Sequence, residues 1–82
     1  MARVVRLDDV WAMLRACAPG CRPKETDHHW AVTYQGKTYR RLPLGSHGRR
    51  HNPEIEAGHV RQMVRFLGIE DCARRRLPDL YR

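Results

Sequence analysis

The apolar positions of this chain change period twice. Leu7, Val10, Trp11, Leu14 and Cys17 recur at three- and four-residue intervals, with Met13 and Ala18 widening the stripe, which predicts one face of a helix. Asp8 and Asp9 fall in its first turn, where acids complement the helix dipole, and Pro19-Gly20 ends it. From His29 to Tyr34 the period becomes two. Trp30, Val32 and Tyr34 share one face of a strand, and His29, Ala31 and Thr33 share the other. Gln35-Gly36-Lys37 reads as a tight turn and residues 38–44 as the returning strand. Its register stays open: a two-residue turn sets Tyr39 and Arg41 on the Trp30 face, and a three-residue turn sets Arg40 and Leu42 there. The polar stretch 21–25 carries Pro23 and amounts at most to a short edge strand.

The helical period then returns. Asn52-Pro53-Glu54 has the form of a helix start, a capping residue followed by proline at the first position. Ile55, Val60, Met63, Val64 and Leu67 supply an apolar face and Gly68 a C-terminal cap, while Gly58 moves the regular start towards Ala57. A last short helix over 70–76 stops ahead of Pro78. No internal repeat and no linker stands out. The pattern predicts a single small α+β domain over 1–82: helix, three strands, helix, and a short C-terminal helix. At 82 residues there is room for one core only.

Charge changes the picture more than composition does. Hydrophobic residues make up 41% of the chain, so it is expected to fold. Sixteen Lys and Arg against nine Asp and Glu leave a formal charge of +7, which favours a polyanionic partner. No apolar run nears the roughly 20 residues of a membrane span, and residues 1–7 lack the apolar core of a signal peptide. A cytoplasmic location without membrane contact is the expectation. Between Asp27 and Glu54 there is no acidic residue, yet that interval holds Lys37, Arg40, Arg41, Arg49 and Arg50 with His28, His29, His47 and His51. A hairpin and loop of one sign suit a surface that tracks phosphates. The five cations are the candidate nucleic-acid contacts.

The adjacent histidines His28-His29 open the strand. Histidine takes and gives a proton near neutrality, since its ordinary pKa is about 6.5. Beside a cationic surface such a group can cut RNA through the substrate's own 2′-hydroxyl. The cysteines are Cys17, Cys21 and Cys72, an odd count that argues against a disulfide framework in a reducing compartment. Cys17 reads most simply as a small core residue. A sharper alternative takes Cys17, Cys21, His47 and His51 as four zinc ligands, although the spacing departs from that of a classical finger.

As an ordered set, His28-His29-Trp30, the turn glycine Gly36, Leu42-Pro43, Glu54-Ile55, Gly58-His59-Val60, Met63-Val64 and Leu67-Gly68-Ile69 resemble the HicA family of toxin ribonucleases over roughly residues 7 to 72. The resemblance implies a fold like the double-stranded-RNA-binding domain, a three-stranded antiparallel sheet with two helices on one face. It also implies metal-independent endoribonuclease activity on messenger RNA with no cofactor, His29 as general base with His28 beside it, and a HicB-like antitoxin as protein partner. Thr26-Asp27 stand where that family has Gly-Ser, which favours a binding module of the same fold that holds RNA or DNA uncut as the first alternative. The second is an interaction protein whose basic face docks an acidic partner, with or without structural zinc at Cys17, Cys21, His47 and His51.

Overall fold

The two periods become helices packed with two antiparallel sheets. The computed structural model describes residues 3–44 and 53–82. In chain order it holds β1 (Val4–Arg6), α1 (Leu7–Cys17), β2 (Arg22–Glu25), β3 (His29–Tyr34), β4 (Lys37–Pro43), β5 (Glu54–Glu56), α2 (Ala57–Leu67), α3 (Glu70–Arg76) and a closing 3₁₀ turn, Pro78–Tyr81. An α+β chain with a three-stranded antiparallel sheet, in the order β2-β3-β4, is therefore present. The β2 strand is the exposed, proline-bearing edge that residues 21–25 predict.

The central hairpin resolves its register with a bulge. Tyr34 pairs with Lys37, so the turn is the two residues Gln35 (φ 51°) and Gly36 (φ 80°). Both sit in the left-handed region, the geometry of a two-residue turn whose twist matches right-twisted strands. Val32 then pairs with Tyr39, but Trp30 pairs with Leu42, so Ala31 faces two residues, Arg40 and Arg41. Without that extra residue Leu42 would fall on the outer face. With it, Tyr39 and Leu42 are both buried and the arginines between them are exposed. Gly36→Ala is expected to cost about 1 kcal/mol in urea denaturation, from left-handed strain alone. An added methyl there meets nothing within 4 Å, so an unchanged midpoint would deny that the turn needs glycine.

Two short strands correct the expected element order. Glu54, expected in the first turn of a helix, instead opens β5, and α2 begins at Ala57; Asn52 lies outside the described residues. β1 and β5 pair antiparallel about Val5↔Ile55, forming a second sheet of two strands. Each runs straight into its helix, and the two strand–helix units match position for position. Val5, Leu7, Val10, Met13 and Arg15 have Ile55, Ala57, Val60, Met63 and Arg65 as counterparts. A repeat is thus present where none stands out in the sequence, because apart from Arg15 and Arg65 it is carried by apolar positions common to any buried strand–helix unit. The helix starts are linked across this local two-fold: Leu7 N–H donates to the Pro53 carbonyl (2.9 Å) and Ala57 N–H to the Arg3 carbonyl (2.8 Å). Neither helix has a side-chain cap, so these bonds satisfy a donor that a capping Ser or Asp would otherwise serve.

One core joins the parts. Val10, Met13 and Leu14 of α1 meet Val32, Tyr39 and Leu42 of the sheet, Val60, Met63, Val64 and Leu67 of α2, and Ala73, Leu77 and Leu80 of the C-terminal segment. Each fully buried large side chain contributes about 1.5–3 kcal/mol relative to exposure. Trp11 meets Trp30 edge-on, with ring centroids 5.1 Å apart. The C-terminal segment is held further by Arg61, whose guanidinium donates to the Leu80 carbonyl (2.6 Å), and by Arg74 stacked 4.2 Å from the Tyr81 ring.

A disulfide joins Cys17 at the end of α1 to Cys72 of α3 across 55 residues, with a Cα–Cα distance of 5.5 Å. This corrects two expectations. Cys17 is buried, but not as a free thiol, and a bonded Cys17 is unavailable as a zinc ligand. The odd cysteine count conceals the pairing because the two residues meet only when α3 packs on α1. Among the described residues no helix is long and apolar enough to cross a membrane.

Candidate nucleic-acid interface

His29 heads β3, the central strand, and is exposed. Thr26 fixes it there. The Thr26 N–H (2.8 Å) and hydroxyl (2.8 Å) both donate to the His29 carbonyl, and the His29 N–H donates back to Thr26 Oγ1 (3.2 Å). The β2–β3 turn is thereby closed, with Asp27 and His28 exposed at its tip. Both backbone groups of His29 are engaged, which aims the residue without using its imidazole.

The strand pairing defines the face that His29 shares. Trp30, Val32 and Tyr34 pack against the core, so His29, Ala31 and Thr33 take the opposite side. Partners directly across a ladder share a face. Thr38 joins Thr33, with their hydroxyls 2.9 Å apart, and Pro43 joins His29. On the other side Arg22 pairs with Thr33 and Lys24 with Ala31. The outer face of the sheet thus presents His29 with Arg22 and Lys24 from β2 and Arg40 and Arg41 from the bulge. The strand carboxylate Glu25 pairs with Trp30 and so falls on the core side. Arg41 is a diagonal neighbour of His29, about 7–8 Å away between backbones.

The five predicted phosphate contacts do not fall together. Arg40 and Arg41 sit on the His29 face. Lys37 lies at the far end of the hairpin, five steps along β3 or about 16 Å from His29. Its ammonium approaches Gly68 at the C-terminus of α2, at 3.9 Å from where a Cβ would stand, which puts it on the core side. Arg49 and Arg50, with His47 and His51, lie outside the described residues. Arg22 and Lys24 join the face although the sequence pattern does not single them out. Their signal is an i, i+2 alternation of cations, masked by the proline between them.

Among the described residues no other cluster competes as a reactive centre. Burial pushes the Cys21 thiol above its ordinary range, so it is a weaker nucleophile and a poorer zinc ligand at neutral pH. No group of three or more His, Cys, Asp or Glu among the described residues could hold a metal ion. Compared with models of known protein families, with curated proteins and with solved structures, the chain has no match in any of the three. Function therefore has to come from the chemistry of the site rather than from kinship.

Proposed function

We propose that this chain is a histidine-dependent, metal-independent endoribonuclease acting on messenger RNA in the cytoplasm. In this reading it is the toxin half of a type II toxin–antitoxin pair whose other half is a HicB-like protein. One observation carries the reading: an exposed histidine at the head of the central strand shares its sheet face with four cations. A phosphodiester laid on this face meets Arg40 or Arg41 on one side and Arg22 or Lys24 on the other. Neutral His29 accepts the proton of the ribose 2′-hydroxyl, and that oxygen forms a bond to the adjacent phosphorus. The phosphorus–O5′ bond breaks, His28 or water supplies the proton to O5′, and a 2′,3′-cyclic phosphate remains. The guanidiniums stabilise charge developing on the phosphorane oxygens. A partner that silences the enzyme must cover the same face, and an acidic surface fits it.

The test is incubation of messenger RNA with the protein in EDTA, with the 3′ ends of the products analysed. Fragments ending in 2′,3′-cyclic phosphate support the mechanism; intact RNA with both protein and RNA recovered would overturn cleavage. A second reading, RNA binding without cleavage, is favoured by Thr26, whose side chain closes the turn beside His29. It predicts salt-sensitive binding and an unchanged RNA ladder. In either case Arg40→Ala with Arg41→Ala is expected to make the slope of log K against log salt shallower. The change is about 0.7 for each phosphate of a single strand that the substitutions leave without a cation. Binding titrations at several salt concentrations check this, and an unaltered slope would remove these arginines from the interface.

A further inference from the structure

Beside the bulge, on the free edge of the sheet, Phe66 of α2 leaves 47% of its surface open to solvent, an unusual exposure for so large an apolar side chain. It is not isolated. Its ring lies 5.7 Å from that of Tyr39, tilted by 55°, and a cleft forms between α2 and β4 lined by Thr38, Tyr39, Arg40, Arg41, Gln62 and Phe66. None of these six side chains is acidic. Gln62 faces inward across the cleft, its Oε1 accepting from the Tyr39 hydroxyl (3.4 Å). The Arg41 guanidinium is close enough to act on the Tyr39 phenol, offsetting part of the rise that burial causes.

An exposed ring gains from any partner that removes its surface from water, and the charge on the cleft's rim narrows which partner fits. Two arginines lining the same cleft as one exposed ring fit an anionic chain that carries planar groups. We propose that this cleft binds one unpaired nucleobase of a single-stranded RNA, stacked on Phe66, with the flanking phosphates on Arg40 and Arg41. Gln62, whose Oε1 takes the Tyr39 hydroxyl, keeps its amide N–H groups for the base edge. A duplex keeps its bases stacked on one another and has none to lend, so the cleft selects single strands. The inference rests on the proposed RNA reading and adds what kind of RNA, and which contact, the site takes. It also explains why both bulge arginines need to be exposed: they serve the cleft and the His29 face at once.

The experiment is fluorescence anisotropy of a labelled single-stranded oligouridylate or oligoadenylate and of a labelled RNA duplex, with wild type, Phe66→Ala, Phe66→Leu and Phe66→Trp. Stacking losses on alanine substitution predict about tenfold weaker single-strand binding for Phe66→Ala. Phe66→Leu, which keeps apolar packing against Tyr39 but has no flat face, is expected to be nearly as weak. Phe66→Trp retains affinity. Duplex affinity and the salt slope stay at wild-type values in all three. Circular dichroism checks the fold, and Phe66→Leu serves should the alanine variant unfold. Single-strand binding by folded Phe66→Leu equal to wild type, with weakened Arg40→Ala, overturns the stacking site but leaves the RNA reading standing, and the patch then belongs to a protein partner. No binding of either RNA by wild type overturns both.

Discussion

His29→Ala is expected to lower the rate of RNA cleavage by about 10²–10⁴-fold while leaving the domain folded. The size is what the proposed role of general base implies, and the intact fold follows from the local geometry. His29 is exposed, and Thr26 holds it through backbone groups that alanine retains. His28→Ala is expected to have the smaller effect, since water can serve as the proton donor for the leaving oxygen. The comparison uses product appearance under single-turnover conditions, with thermal unfolding of each variant followed by circular dichroism. Binding should survive in His29→Ala, because the proposed phosphate contacts are the arginines and Lys24 rather than the imidazole. Cleavage by a folded His29→Ala protein at the wild-type rate would sink the assignment, and a variant that cleaves slowly because it binds poorly would turn His29 into a phosphate contact.

Reduction of the Cys17–Cys72 disulfide is expected to lower stability by about 4 kcal/mol, the loop-closure entropy that a cross-link over 55 residues removes from the unfolded chain. The whole domain is worth roughly 4–12 kcal/mol at this length. The loss is therefore a large share of the total and corresponds to a fall in melting temperature of about 15–30 °C. It also removes the covalent tie of α3 to the end of α1, leaving the C-terminal segment to the packing of Ala73, Leu77 and Leu80 and to the Arg61 hydrogen bond to the Leu80 carbonyl. The measurement is thermal unfolding with and without reductant, alongside a Cys17→Ala, Cys72→Ala double variant, with Cys21→Ser as the control. A melting temperature that ignores reductant and both substitutions would show that the bridge does not constrain the unfolded chain. The result bears on location too. Reducing compartments keep thiols reduced, so a chain working beside messenger RNA in the cytoplasm would do so in the less stable, reduced form.

The elements long enough to repeat a period are legible in the sequence. α1 shows three cycles of its stripe, β3 sets Trp30, Val32 and Tyr34 at every second position, and Gly36 and Gly68 mark the turn and the helix end that need positive φ. β1 and β5 are not legible, because three residues hold no period. Val4–Arg6 merges with the helix that follows it, and Asn52-Pro53 copies a helix start. Of the candidate site, the placement of His29 on the outer face follows from alternation alone once Trp30 is given to the core. Lys37 escapes for a related reason: its face and its distance from His29 depend on the turn, and the pattern leaves the turn length open.

What the chain by itself determined is therefore local: which segments are helix and strand, that His29 and the core aromatics oppose one another on β3, and that positive charge gathers between Asp27 and Glu54. Local backbone preference and solvent partition act within a few residues, so a linear reading captures them. Only the tertiary structure decided what depends on partners far away in sequence. The bulge that exposes Arg40 and Arg41 lets Tyr39 and Leu42 both reach a core built by α1 and α2. Arg22 and Lys24 join His29 through pairing across β2 and β3, Phe66 gains its cleft from β4, and Cys17 finds Cys72 only because α3 folds back onto α1.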